Sequence, residues 1–112
     1  MQRQKDEEIM VITETIKETV DCEKIYLFGS NAYGEPSKDS DLDFYVVIPD
    51  DADRPIAVVQ KIHENLGKIK KLSPIDVVAT RSSRFADMSV LPSMERKIVR
   101  EGVLLYERDR LS

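Results

Sequence analysis

The sequence predicts an α+β fold, a small mixed and partly antiparallel four-stranded sheet packed by helices. Three observations carry that prediction. Short apolar runs bounded by Gly, Pro and Ser alternate with stretches of helical periodicity along the 112 residues. Only about a dozen residues separate the first two predicted strands, too few for a comfortable helical crossover, so these strands should pair antiparallel. A full helix separates the second strand from the third, which suits a right-handed parallel crossover.

The elements follow in order. Ile9, Ile12, Ile16 and Val20 recur at helical spacing and predict an amphipathic helix over residues 4–20. Lys24–Phe28 is the first strand, ended by Gly29. Residues 30–34 are expected to make a brief helical turn, and residues 35–40 are loop by composition. Leu42–Ile48 is the second strand, stopped by Pro49. Asp50, Asp51 and Asp53 are N-cap candidates for a helix with Pro55 in its first turn. Ile56, Val59, Ile62, Leu66 and Ile69 mark its buried stripe over about 16 residues. Ser73-Pro74 breaks that helix, and Ile75–Ala79 is the third strand. Residues 82–88 are helical, with Phe85 and Met88 readable as core or as a partner-facing patch. Pro92 opens a further helix whose buried side carries Met94 and Ile98, with Gly102 as its stop. Val103–Tyr106 closes the chain as the fourth strand.

Composition narrows the function. Residues 1–112 read as one domain, large enough for a single core. Net charge is −4 and the pI about 5.0, a poor footprint for general nucleic-acid binding, which usually shows a basic face. Cys22 and His63 are the only residues of their kinds, so neither a disulfide within the chain nor thiolate or multi-histidine zinc chemistry is expected. No stretch approaches 18 apolar residues and no signal-type core follows the charged N-terminus, so no membrane role and a cytoplasmic location are expected.

The chemistry concentrates in two short segments. An apolar strand runs into Gly29-Ser30, and Asp41 and Asp43 open the next strand. Strand side chains alternate faces, so these two carboxylates point the same way. Like charges on one face repel, and a hard divalent cation such as Mg²⁺ is their natural partner. The predicted topology brings Asp76, one residue into the third strand, beside them. Three carboxylates facing a glycine turn with free N–H groups suit a nucleotide-handling site, with metal on one side and phosphate on the other.

The run Gly29-Ser30-Asn31-Ala32-Tyr33-Gly34, then Ser40-Asp41-Leu42-Asp43, then Asp76, resembles the minimal nucleotidyltransferases of the DNA polymerase beta superfamily. The closing Arg100-Glu101-Gly102-Val103-Leu104-Leu105-Tyr106-Glu107 also resembles that family's usual last strand, so the match spans nearly the whole chain. The resemblance implies the nucleotidyltransferase fold and Mg²⁺, two ions, held by Asp41, Asp43 and Asp76, which are also the catalytic residues. It implies ATP as the substrate, with Gly29 and Ser30 on the phosphates. Many members carry Arg where this chain has the uncharged Tyr33, and Lys38 in the same loop is the cation expected to stand in. Small members are commonly antitoxins encoded beside a HEPN-domain toxin ribonuclease, and some silence it by transferring AMP onto a tyrosine.

The expected activity is therefore Mg²⁺-dependent transfer of a nucleoside monophosphate, AMP from ATP, onto a hydroxyl of a partner protein. The catalytic core uses up nearly all of the sequence, which favours a protein acceptor over a small molecule or tRNA. The alternative is a catalytically silent antitoxin that neutralises its partner sterically. A doubly wound signalling domain ranks lower, because that fold places its acids at strand C-terminal ends, whereas Asp41, Asp43 and Asp76 open their strands.

Overall fold

A computed structural model of the chain describes residues 2–29, 32, 41–69 and 73–108. Among these, four helices and four strands run in the order α1 (Gln2–Thr19), β1 (Lys24–Phe28), β2 (Leu42–Ile48), α2 (Pro55–Leu66), β3 (Ile75–Arg81), α3 (Ser82–Ser89), α4 (Met94–Glu101) and β4 (Val103–Glu107). The strands form one sheet in the order β3-β2-β1-β4. β1 pairs antiparallel with both β2 and β4, and β2 pairs parallel with β3. The antiparallel β1–β2 and parallel β2–β3 pairings agree with the α+β expectation.

The period of two along β2 divides the core. Leu42, Phe44, Val46 and Ile48 face one way and pack with Ile12 and Ile16 of α1 and Val58, Ile62 and Leu66 of α2. Tyr45 and Val47 face the other way and pack with Tyr26, Phe85 of α3 and Ile98 of α4. Helices cover both faces, which is why β2 is apolar almost throughout rather than alternating with polar residues. A hydrogen bond from Asn65 Nδ2 to Thr19 Oγ1 (2.8 Å) ties α2 to α1. No helix among the described residues is long and apolar enough to cross a membrane.

Three local expectations are corrected. The buried row of α2 is Val58, Ile62 and Leu66, and the helix is 12 residues rather than about 16. Ile56 is 67% exposed, because it stands two residues from Val58, some 200° round the helix axis. The acidic run before α2 gives that helix no side-chain cap; its N-cap position is Arg54. Asp50 instead accepts a hydrogen bond from the Ser83 backbone N–H in the first turn of α3, at 2.9 Å. Met94 of α4 is exposed, whereas its neighbour Glu95 turns inward and accepts a hydrogen bond from Tyr45.

Gly102 does stop α4, for a reason other than left-handed backbone, since its φ is −71°. A Cβ there would stand 2.6 Å from the Ile98 carbonyl oxygen and 3.1 Å from that of Leu27. Space, not dihedral freedom, requires glycine at this junction.

Candidate functional site

The site forms where β1 ends and β2 and β3 begin. β1 runs out at Phe28 into Gly29, whose φ of +79° is left-handed backbone that favours glycine. The Ala32 N–H donates to the Gly29 carbonyl at 3.0 Å, which closes a tight turn after the strand. A Cβ on Gly29 would collide with Oδ2 of Asp43. The same residue therefore meets a dihedral demand and leaves room for a carboxylate.

Register assembles the acids. Asp43 is the partner of Phe28 on β1 and of Asp76 on β3. Partners in register share a face, so Asp43 and Asp76 stand side by side on the face covered by α3 and α4. The Leu42 N–H donates to the Pro74 carbonyl at 2.9 Å and carries the parallel pairing to the mouth of both strands. Asp41 precedes β2 and is exposed, as is Asp76, while Asp43 is half-buried.

Electrostatics follow from that placement. Burial foremost, then the Asp76 carboxylate, then that of Asp41, push the Asp43 carboxyl above its ordinary value near 3.8. Phe28, Tyr45 and Phe85 lie on the same face, with ring centroids 6.2 Å apart for Phe28–Tyr45 and 5.3 Å for Tyr45–Phe85. A half-buried carboxylate beside two others is costly to ionise without a cation.

The donor set is all oxygen and anionic, which fits a hard divalent ion such as Mg²⁺. Among the described residues, however, no three His, Cys, Asp or Glu side chains already converge on one point. Register and charge bring Asp43 together with Asp76 and Asp41; the fit is of chemistry and neighbourhood rather than of a finished cage. Ser30, Tyr33 and Lys38 lie outside the described residues.

One group escaped sequence reasoning. Tyr45 is fully buried. Its hydroxyl lies 2.7 Å from Thr80 Oγ1 and donates to Glu95 Oε2 at 2.9 Å. Burial above all, opposed in part by Thr80 and reinforced by Glu95, pushes this phenol upward. The network links β2, β3 and α4 directly behind the aspartates. Its only sequence signal is that Tyr45 stands two residues from Asp43, and so on the same face.

This architecture and its acid-lined end define a nucleotidyltransferase fold. The chain belongs to the polymerase beta nucleotidyltransferase family, whose model matches residues 11–111. No curated protein matches it in sequence. Among solved structures it is similar to a Sulfolobus solfataricus protein assigned as a nucleotidyltransferase, with a TM-score of 0.63 and 18% identity over 93% of this chain and 81% of that one. A toxin–antitoxin structure with AMP-PNP gives a TM-score of 0.54 and 23% identity over 88% of this chain and 73% of that one. An Enterococcus spectinomycin adenyltransferase with ATP and spectinomycin gives 0.55 and 16%, over 91% of this chain and 57% of that one. At these identities the likeness is one of fold.

Proposed function

We propose that this chain transfers a nucleoside monophosphate, AMP from ATP, onto a hydroxyl of a partner protein, and that the partner is a HEPN-type toxin for which the chain is the antitoxin. The observation that carries the reading is the register of Asp43 beside Asp76, with Asp41 two residues upstream and Gly29 making room for the Asp43 carboxylate. The fold shared with a toxin–antitoxin structure and with an adenyltransferase supports it.

In this mechanism Asp41, Asp43 and Asp76 would hold Mg²⁺, two ions, and the metal would offset phosphate charge and make a hydroxyl more acidic. The chain's own residues supply the rest. Gly29 lets the backbone come close to the triphosphate, Ser30 adds a hydroxyl donor, and Lys38 supplies the cation that Tyr33 does not. A carboxylate oxygen of Asp76 takes the proton of the attacking hydroxyl. The acceptor's hydroxyl oxygen bonds to the α-phosphorus as the bond from that phosphorus to the oxygen bridging to the β-phosphate breaks, and pyrophosphate leaves. Little covalent chemistry falls to the protein, so positioning and charge dominate.

The test is label transfer from α-labelled ATP with Mg²⁺ onto a protein of the host lysate, wild type beside Asp43→Ala. A labelled band with wild type alone is the expected outcome, with the variant at background. Tyr33 in place of the common Arg favours a second reading, a silent antitoxin that acts sterically. On that reading no triphosphate labels any protein, and Asp43→Ala still neutralises the partner.

A further inference from the structure

The third carboxylate is delivered through one short segment. Ser73 and Pro74 lead into Ile75, the first residue of β3, and Asp76 follows. The Pro74 carbonyl accepts from the N–H of Leu42, the residue between Asp41 and Asp43, at 2.9 Å. The placement of Ser73 and Pro74 therefore bears on where Asp76 stands relative to the other two acids.

A side chain remote in sequence holds that segment. Glu8 of α1 takes both donors of Ser73. The backbone N–H donates to Oε1 at 2.7 Å, and the hydroxyl to Oε2 at 3.2 Å. Asp6 and Glu7, its neighbours in the chain, are exposed, whereas Glu8 is half-buried. Bonds to an ionised carboxylate are about twice as strong as neutral ones. Two oxygens on two donors also fix orientation as well as distance.

Residue type turns this grip into leverage. Proline has no N–H, so Ser73 carries the last backbone donor before β3. The Pro74 ring fixes its own φ and confines Ser73 to extended backbone. Little torsional slack is left between the Glu8 carboxylate and Asp76. Ile75 packs against the same core as Ile9, the residue after Glu8. Leu42 and Ile75 are register partners on the face covered by α1 and α2, and Asp43 and Asp76 are partners on the opposite face. Glu8 thus works from behind the sheet, through backbone.

We propose that Glu8 is a positioning residue, which holds the entry of β3 so that Asp76 can share a divalent ion with Asp41 and Asp43. This rests on the metal-dependent reading above and extends it to a side chain of α1.

The test is Mn²⁺ binding to the full chain without nucleotide, followed by loss of the free ion's paramagnetic resonance signal, with circular dichroism and melting measured beside it. Glu8→Ala should weaken Mn²⁺ binding about tenfold, as loss of an outer-shell partner does. Two conservative variants separate reach from charge. Glu8→Asp keeps the charge but is too short for both donors, and should lose as much as alanine. Glu8→Gln loses the charge but keeps an acceptor for the N–H and a donor for the hydroxyl, and should bind within about twofold of wild type. Should Glu8→Ala fail to fold, the aspartate and glutamine variants decide the matter. A lower melting temperature with wild-type Mn²⁺ affinity in Glu8→Ala or Glu8→Asp would overturn the proposal, as a bond that serves stability alone. So would Glu8→Gln losing as much as Glu8→Ala, since charge rather than contact would then be responsible. Asp43→Ala separates this claim from the one beneath it. If wild type and Asp43→Ala bind Mn²⁺ equally, or neither binds it, the carboxylate site itself fails and Glu8 with it. If Asp43→Ala loses binding and Glu8→Asp does not, only the role of Glu8 fails.

Discussion

Asp43 concentrates two opposing demands in one side chain. Its carboxyl is raised by burial and by Asp76 and Asp41, so the folded chain holds this proton more tightly than the unfolded one. Stability without metal therefore falls as pH rises from the ordinary value near 3.8 through the raised one, and the ionisation cost is fully present above it. Asp43→Asn should raise the melting temperature of the metal-free chain at neutral pH by a few degrees, and the gain should vanish at pH 3. Added Mg²⁺ should stabilise wild type and not this variant. Gly29 sets the opposite case. Gly29→Ala strains left-handed backbone and drives a methyl into the Asp43 carboxylate. Chemical denaturation should show a loss of about 1–3 kcal/mol, with Mg²⁺ binding weakened alongside. Cys22 is inert by comparison. Burial, then the Asp21 carboxylate, push its thiol up to about 11.

At the scale of elements, the site depends on how helices are fixed to the sheet behind it. Asp50 stands in the turn after β2, yet it serves α3 by accepting from the Ser83 N–H. Arg81, the last residue of β3, donates back to the Asp50 carbonyl at 2.8 Å. The two bonds clamp the C-terminal ends of the parallel strands and launch α3 across the second face. Asp50→Ala should cost about 1 kcal/mol, the usual worth of a helix cap, read from urea melts with an unchanged m-value. Tyr45, Thr80 and Glu95 fasten α4 in a comparable way. Such bonds join residues 31 to 50 positions apart in the chain. No local pattern encodes them.

Over the whole molecule, the two helical layers decide which apolar residues count. Ile62 is fully buried between α2 and the sheet, whereas Ile56 on the same helix is 67% exposed. Ile62→Ala should cost about 2–5 kcal/mol, and Ile56→Ala less than about 0.5 kcal/mol. Thermal unfolding of the pair checks the assignment directly, because equal losses would place the stripe where periodicity alone puts it. The carboxylate end draws its geometry from this same packing. β1 and β2 are the inner strands of the sheet, so the turn at Gly29 and the mouth of β2 are held from both sides.

The sequence by itself determined the order of elements, the antiparallel pairing of β1 with β2 and the parallel pairing of β2 with β3. These follow from residue type, from a period of two or 3.6, and from the length of chain between strands. Asp76 was also legible, since a parallel crossover leaves its strand start little freedom beside β2. Only the tertiary structure decided that Gly29 makes room for Asp43, that Val58 rather than Ile56 turns inward, and that Asp50 caps a helix other than the next one. A helical pattern leaves its rotation loose by a residue or two until a sheet packs against it. Glycine's missing side chain matters only once another element fills the space. Those contacts join residues distant in sequence, and their energies exist only after the chain has closed on itself.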